Sequence, residues 1–335
     1  MSKKRRALRA IDLFAGAGGT TAGAMAAGVR VIAAVDYWGR AKDVYTANFP
    51  GVRFYHERCE DLSVASMKRA LGEIDLLLAS PECTSHTCAK GSAKRSEISR
   101  RTAFEVVRFA GLFKPRWILV ENVVHMRSWR RYASWLQAIK ALGYRVREQV
   151  IDATDHGVPQ ARRRLFIMCD RKREPPAVLP SVRKRKTAAA ILSSNGDYSF
   201  SPLRTERRAK PTLQRANRAL REVGPNRRFL IVYYGSDAAG GWQKVNAPLR
   251  TVTTLDRFAL VKPSKQGHVM RMLQVPEIKA AMGFPKRFAL NGGTRRDSIK
   301  LLGNAVCPPV ITSIIKHLTG PTSRARKPRN RVHAS

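Results

Sequence analysis

Short apolar runs alternate with helical patterns through the first half of the chain, which is typical of a parallel sheet covered by helices. The apolar runs predict strands at Ala10–Phe14, Val31–Val35, Arg53–His56, Ile74–Ala79, Trp117–Val120, Arg145–Ile151 and Leu165–Met168. The helical patterns lie near Thr20–Ala27, Ala41–Asn48, Ser63–Leu71, Thr102–Phe113 and Tyr132–Leu142, and much later at Ala305–Leu318. The pattern therefore predicts an α/β fold whose last helix returns to pack beside the first strand.

The composition changes after Met168. Residues 171–228 carry sixteen Lys or Arg and four Asp or Glu, with scattered prolines and little apolar periodicity. Ordinary patterning returns from about Pro248. We therefore expect five segments: a basic tail (1–8), a catalytic cofactor-binding domain (9–170), an inserted smaller domain (171–247), a return segment that completes the first domain (248–319) and a second basic tail (320–335).

The charge of the chain points to a polyanionic partner. Sixty-three Lys and Arg face 24 Asp and Glu, which gives a formal net charge of +39 and an isoelectric point of about 11.3. This excess is far beyond what solubility requires. It predicts strong, salt-sensitive binding of nucleic acid through counterion release.

The five cysteines form no CxxC pair. A disulfide framework or a zinc site is not expected, no metal is predicted, and a reducing compartment fits. The N-terminus does not resemble a signal peptide, and no apolar run reaches membrane-spanning length. We therefore expect a cytoplasmic protein that has no membrane partner.

A glycine loop follows the first strand, in the stretch Asp12–Gly19. Gly16 and Gly18 let the backbone turn tightly before a helix N-terminus, which favours anionic or hydrogen-bonding ligand groups. Asp36 ends the next strand, where an acidic side chain can bind ribose hydroxyls, and Asp61 after the third strand could bind an adenine amino group. Such loops also bind NAD or FAD, so the loop predicts a nucleoside cofactor without identifying it.

A thiol and a carboxylate stand where two predicted buried strands end. Cys83 follows the strand Ile74–Ala79, and Glu121 directly follows Trp117–Val120. Ligands bind at this edge of an open α/β sheet. A half-buried glutamate can act as a proton donor because burial raises its pKa, and a thiolate is a nucleophile.

These residues, together with later ones, resemble the DNA (cytosine-5)-methyltransferase family. Asp12–Gly19 resembles its S-adenosylmethionine loop, Ser80-Pro81-Glu82-Cys83 its Pro-Cys nucleophile loop, and Glu121-Asn122-Val123 its Glu-Asn-Val motif. The later matches, in the family's order, are Gln160-Ala161-Arg162-Arg163-Arg164, Arg250-Thr251-Val252-Thr253, Gly283-Phe284-Pro285 and Gly303-Asn304-Ala305-Val306. The resemblance covers nearly all of the chain except the region around 171–247 and the tails.

The resemblance implies a Rossmann-like S-adenosylmethionine-dependent methyltransferase fold with an inserted target-recognition domain. It implies methyl transfer to C5 of a cytosine flipped out of double-stranded DNA, through a covalent bond between Cys83 and C6, with Glu121 acting at N3 and Arg162 and Arg164 beside the base. Expected cofactor residues are Asp12, Phe14, Gly16, Gly18, Gly19, Asp36, Tyr37, Asp61, Leu62, Pro81, Asn304 and Val306.

The nucleophile loop departs from the family pattern, which has Pro-Cys-Gln preceded by a further proline. Glu82 precedes Cys83 here, and Thr84 replaces the glutamine. A carboxylate beside a thiol opposes thiolate formation. Cys88 is a fallback nucleophile, although it does not align.

Other functions stay open at this stage. A tRNA cytosine-5 methyltransferase is an alternative, as is a DNA-binding relative that has lost catalysis. A nicotinamide-dependent oxidoreductase explains neither the charge nor Glu121-Asn122-Val123. We expect a monomer of bacterial or phage origin, for which a cognate restriction endonuclease is a candidate partner.

Overall fold

The computed structural model describes residues 6–81, 102–193, 196, 198–235 and 240–320. A seven-stranded sheet forms its centre. The strands are β1 (Arg9–Leu13), β2 (Arg30–Val35), β3 (Arg53–Tyr55), β4 (Leu76–Ala79), β5 (Trp117–Asn122), β6 (Arg145–Asp152) and β7 (Arg163–Asp170). Their spatial order is β3-β2-β1-β4-β5-β7-β6. The predicted α/β fold class is confirmed, and each predicted strand is present with its ends shifted by two residues or fewer.

One strand departs from the parallel arrangement that the sequence pattern favoured. β7 runs antiparallel to both neighbours, pairing Glu121 with Phe166 on one side and Ile151 with Arg164 on the other. The reason is the short connection between β6 and β7, which holds one turn of 3-10 helix, Ala153–His156. A parallel connection would need a crossover of a dozen or more residues.

Helices cover both faces of this sheet and bury an apolar layer on each. The helices before the second sheet are α1 (Gly19–Ala26), α2 (Gly39–Asn48), α3 (Val64–Leu71), α4 (Ala103–Phe113) and α5 (Tyr132–Ala141). One layer holds Ala24 and Val44, from α1 and α2, and the other holds Met67, Phe109 and Ile139, from α3, α4 and α5. Burial of both layers fixes the strand ends at which ligands bind in such sheets.

A second sheet of five strands lies in the second half of the chain. Its elements are β8 (Ser201–Pro202), α6 (Lys210–Val223), β9 (Phe229–Val232), β10 (Trp242–Lys244), β11 (Phe258–Ser264) and β12 (Gly267–Met272), with the strand order β10-β9-β11-β12-β8. Ala216 and Ala219 of α6 pack against Phe229 and Ile231 of β9. The sheet therefore extends past residue 247, where the sequence analysis ends the inserted domain. β11 and β12 belong to it because they pair with β9 and with each other.

Three helices end the described chain: α7 (Val275–Ala281), α8 (Arg295–Asn304) and α9 (Pro308–Thr319). Thr312 Oγ1 donates a hydrogen bond to the Gly23 carbonyl of α1, at 2.9 Å, so the last helix packs against the first. α9 begins at Pro308 rather than Ala305. By length and composition the stretch Arg295–Thr319, which holds α8 and α9, is apolar enough to cross a membrane, with a mean hydropathy of 1.4 in its most apolar window. Because 78% of that window is buried inside the protein, we assign the stretch to the hydrophobic core.

Candidate active site

A cavity of about 340 Å³ opens at the carboxyl ends of β1, β2, β4 and β5. Phe14–Ala17 form one wall and Asp36–Trp38 the next. Ser80, Pro81 and Glu121 line the side nearest the centre of the sheet. The wall that comes from the end of the chain is made of Lys300, Leu301 and Asn304–Val306. Residues from both ends of the chain therefore build one cavity.

The glycine loop between β1 and α1 is held by the carboxylate of Asp36. One oxygen accepts a hydrogen bond from Gly16 N at 2.8 Å, and the other accepts one from Trp38 N at 2.9 Å. Gly16 has φ +53°, a conformation that favours glycine, and no atom lies within 4 Å of where its Cβ would be. This leaves room for a ligand to approach the backbone.

Two further glycines of this motif serve packing. A Cβ on Gly18 would lie 2.4 Å from the Phe49 ring, and a Cβ on Gly19 would lie 2.2 Å from the Val306 carbonyl oxygen. Gly18 and Gly19 do not line the cavity. Gly19 brings α1 against the segment that carries Asn304, so its missing side chain sets how closely the two walls approach.

The predicted cofactor residues divide into two groups. Phe14, Gly16, Asp36, Tyr37, Pro81, Asn304 and Val306 line the cavity. Asp12, Asp61 and Leu62 do not, as is also true of the two packing glycines. Asp61 is exposed at the end of the 3-10 turn Cys59–Asp61, and Leu62 is buried in the core.

Asp12 is buried beneath α1 and acts within the fold. Its Oδ2 accepts a hydrogen bond from Thr21 Oγ1 at 2.7 Å, and the same hydroxyl lies 2.7 Å from the Tyr45 hydroxyl. Burial raises the pKa of Asp12 to about 7, and the Thr21 hydrogen bonds oppose that rise. The carboxyl group thus anchors the first turns of α1 instead of facing a ligand.

Several cavity residues were missed by the sequence analysis. They are Trp38, Glu57, Arg58, Glu60, Ser80, Thr102 and Lys300, among others. The Arg58 guanidinium lies 4.2 Å from the centre of the Tyr37 ring, and the Lys300 amine lies 4.4 Å from that of Trp38. Both aromatic residues directly follow Asp36. Trp38 could have been predicted from the sequence, because it directly follows Asp36 and Tyr37, which are both predicted cofactor residues.

Glu121 lines the cavity and is the last residue but one of β5. It is 8% exposed, and its Oε1 lies 3.2 Å from Arg164 Nε across the neighbouring β7. Burial raises the pKa of Glu121, and the Arg164 and Arg162 charges oppose that rise. The carboxyl group can therefore hold a proton more readily than an exposed glutamate does.

Arg162 serves the same region in a different way. It is buried and donates hydrogen bonds to the carbonyl oxygens of Val252 at 2.9 Å, Gly303 at 2.8 Å and Ala305 at 3.1 Å. These bonds fix the two residues on either side of Asn304. Arg162 therefore positions the cavity wall, while Arg164 pairs with Glu121.

Cys83, Glu82, Thr84 and Cys88 lie outside the described residues. They follow Pro81 in the sequence, and the Pro81 carbonyl oxygen accepts a hydrogen bond from Asn122 Nδ2 at 3.1 Å. Asn122 directly follows Glu121, so this bond ties Pro81 to the strand end that bears the carboxylate.

The chain resembles known proteins along most of its length. A family model described as C-5 cytosine-specific DNA methylase matches residues 8–320. Type II methyltransferase M.HgiDI of Herpetosiphon aurantiacus is 30% identical over 236 residues, which cover 64% of this chain and 73% of the relative. Type II methyltransferase M.HindV of Haemophilus influenzae is 24% identical over 315 residues, 89% of this chain and 92% of the relative.

Two solved structures share the fold. A putative DNA modification methyltransferase encoded within an E. coli prophage superposes with a TM-score of 0.69 at 19% identity, over 93% of this chain and 99% of that one. A mutant of Spodoptera frugiperda DNMT2 superposes with the same TM-score at 18% identity, over 93% of this chain and 100% of that one. With the family match across residues 8–320, this chain belongs to the C-5 cytosine-specific DNA methylases, enzymes that methylate cytosine in DNA.

Proposed function

We propose that this chain transfers a methyl group from S-adenosylmethionine to C5 of a cytosine flipped out of double-stranded DNA, with Cys83 as the nucleophile. The observation that carries the proposal is that Glu121 and Pro81 line the same cavity as the glycine loop. Pro81 stands two residues before Cys83 in the chain. Pro81, the carboxylate and the cofactor loop thus lie at one strand-end edge, where we propose that Cys83 acts.

The cavity fits the cofactor by its chemistry. Phe14, Tyr37 and Trp38 offer aromatic faces to an adenine ring, and Glu57 and Glu60 offer carboxylates to ribose hydroxyls or to positive charge. The Ser80 hydroxyl oxygen is buried in the cavity wall without a hydrogen-bond partner among the described residues. When bound there, S-adenosylmethionine supplies the methyl group as an electrophile.

In the proposed reaction Cys83 forms the first bond. Its thiolate attacks C6 of cytosine, which moves an electron pair toward C5 and N3 and makes C5 nucleophilic. Once C5 carries the methyl group, water would take up the C5 proton, the electrons of that C–H bond would form the C5–C6 double bond as the thiolate departs, and any proton on N3 would return to Glu121. Since C6 is out of reach in a stacked duplex, the base must leave the helix, at about a few kcal/mol.

Glu121 has the second role. Held by Arg164 on the floor of the cavity, it donates a hydrogen bond or a proton to N3 and stabilises the electron pair that the thiolate displaces. Its raised pKa favours the protonated form that this step needs. Arg164 keeps the carboxyl group in one orientation.

DNA is proposed to lie between the catalytic domain and the smaller sheet. The net charge of +39 and the sixteen basic residues in 171–228 support binding to phosphates. We propose the smaller domain as the target-recognition domain, in a protein that acts as a monomer in the cytoplasm. The names of its Type II relatives support a role beside a cognate restriction endonuclease.

The test is sequencing by bisulfite conversion of DNA from cells that express the chain, with the variants Cys83→Ser and Glu121→Gln beside the unaltered protein. We expect protected cytosines in one sequence context, none with Cys83→Ser and at least a hundredfold slower methylation in vitro with Glu121→Gln. Cys88→Ser is the matched control and should keep its activity. Full activity of Cys83→Ser would contradict the assignment of the nucleophile.

A second measurement separates the alternatives. Duplex DNA that contains 5-fluorocytosine should become covalently attached to the protein, since the fluorine cannot leave as a proton does. Binding without attachment would point to a catalytically impaired relative, as the Glu82 carboxylate beside Cys83 suggests. Attachment of tRNA in place of DNA would point to the RNA substrate.

A further inference from the structure

A second and larger cavity, of about 820 Å³, lies outside the catalytic region. Ala22, Met25 and Ala26 line it from the later turns of α1, whereas Thr20 of the same helix lines the cofactor cavity. Its opposite wall is α9, through Thr312 and the residues that follow. Nothing in the proposed reaction uses this space.

The walls of this second cavity are largely apolar. Phe49 at the end of α2 and Phe288 face it, together with Pro309 at the start of α9. Met25 is 38% exposed, which is high for a large apolar side chain. Apolar walls offer few hydrogen bonds to water, so replacing that water by a ligand with an apolar or aromatic body is favourable.

Two polar atoms in the lining are buried without a hydrogen-bond partner. Among the described residues, no partner is found for His156 Nδ1 or Ser313 Oγ, although their side chains are only 5% and 7% exposed. A buried polar group without a partner is unfavourable, because it has lost its hydrogen bonds to water without replacing them. Burial lowers the pKa of His156, opposed by the nearby Asp155 charge, so its ring is neutral near pH 7 and can donate or accept. Both residues line the cavity, and a polar edge of a ligand that reached these atoms would give them the partner that the described residues do not supply.

The charge of the lining has one sign. Arg287 and Lys316 bring two cations to the cavity, and none of the described residues that line it carries a carboxylate. A candidate occupant from the chain itself is the segment 321–335, which follows α9 in the sequence. It contains five Lys or Arg and no Asp or Glu. Like charges therefore disfavour this segment as the occupant and favour an anion.

We propose that this second cavity binds a small organic anion. Its apolar body would rest between Phe49 and Phe288, its acidic group beside Arg287 and Lys316, and a polar edge against His156 and Ser313. The site is separate from the cofactor cavity and does not depend on the proposed methyl transfer.

Calorimetric titration of the full chain tests the site with 2-naphthoate, 2-naphthol and inorganic phosphate as probes. We expect 2-naphthoate to bind at least tenfold more tightly than either 2-naphthol, which lacks the carboxylate, or phosphate, which lacks the apolar body. An affinity for 2-naphthol or for phosphate equal to that for 2-naphthoate would overturn the proposal. So would no binding of 2-naphthoate up to about 10 mM, the weak end of specific affinities.

Variants locate the bound probe. Ser313→Leu places a bulkier side chain in the cavity wall and should weaken 2-naphthoate binding tenfold or more, as should Arg287→Gln combined with Lys316→Gln. Lys42→Gln, which removes an exposed charge outside the lining, is the control and should leave affinity unchanged. Circular dichroism checks that each variant folds, and if Ser313→Leu does not, His156→Phe replaces it. Unchanged affinity in the folded lining variants would contradict the site.

Discussion

Arg164 reaches across from β7 to Glu121 on β5, with 3.2 Å between its Nε and the carboxylate Oε1. Glu121 of this pair lines the cavity that the glycine loop helps to form. Burial and the guanidinium act on the Glu121 pKa in opposite directions, and burial has the larger effect. The arginine thus limits how far the pKa rises.

Replacing Arg164 by Gln should move the pH dependence of methylation. Without the cation, the pKa of Glu121 rises further, because the charged form loses its partner. If the protonated carboxyl group is the active form, the decline of kcat/KM with rising pH shifts to higher pH. Arg164→Lys keeps a positive charge and should shift it less. A pH profile that is unchanged in Arg164→Gln would remove the proposed coupling.

Arg162 should affect the cofactor more than the chemistry. Arg162→Met removes three hydrogen bonds to the carbonyl oxygens of Val252, Gly303 and Ala305. We expect the free energy of unfolding to fall by about 2–4 kcal/mol and the KM for S-adenosylmethionine to rise more than kcat falls. Arg163→Met, at the exposed residue that follows Arg162 and begins β7, is the control. Equal behaviour of the two variants would argue against the positioning role.

Gly19→Ala should widen the gap between α1 and the closing segment. The added Cβ would lie 2.2 Å from the Val306 carbonyl oxygen, so backbone must move. Since Val306 lines the cavity, we expect at least a tenfold loss of cofactor affinity, measured by calorimetry. Gly51→Ala meets no atom within 4 Å and serves as the control. Wild-type affinity in Gly19→Ala would show that the two walls are not tightly coupled.

Asp12 should make stability depend on pH. Its pKa is about 7 in the folded chain, mainly through burial, against an ordinary value of 3.8. Between these values the folded state holds a proton that the unfolded chain has released, so the free energy of unfolding falls as pH rises through this window and levels off above it. Each pKa unit corresponds to about 1.4 kcal/mol.

The variant Asp12→Asn should lose this slope. Urea unfolding at pH 5 and pH 8 measures it, and the unaltered chain should lose more stability between the two than Asp12→Asn does. Asp61→Asn, at an exposed carboxylate, should keep the slope of the unaltered chain. Parallel slopes in all three proteins would mean that Asp12 is ionised throughout.

Local patterns predicted the inner strands of the central sheet well because strands such as β4 and β5 are buried along their whole length and read as apolar runs. They could not predict the direction of β7, which depends on the length of the connection after β6. α6 was missed although Leu213, Ala216, Leu220 and Val223 recur at helical spacing. The prolines and positive charges throughout 171–228 favoured a loop-rich segment and outweighed that local pattern.

Only part of the cavity lining was predicted, because a local motif does not show which distant segments the fold brings together. Motif residues such as Phe14, Pro81 and Asn304 line it as expected. Arg58 and Lys300 line it because the fold brings them over Tyr37 and Trp38, a relationship between distant segments that no local motif encodes. Asp12 belongs to the motif yet faces α1, since the direction of its side chain is set by the pleat of β1.

The hydrogen bond from Thr312 to Gly23 spans 289 positions along the chain. A ribosome must therefore synthesise the chain through Thr319 before α9 can dock onto α1, and through Val306 before the cofactor cavity has all its walls. While the second sheet is being synthesised, the nascent chain has the glycine loop but lacks the cavity wall formed by Asn304–Val306. Cofactor binding, and with it methylation, would therefore begin only after this late segment has been made.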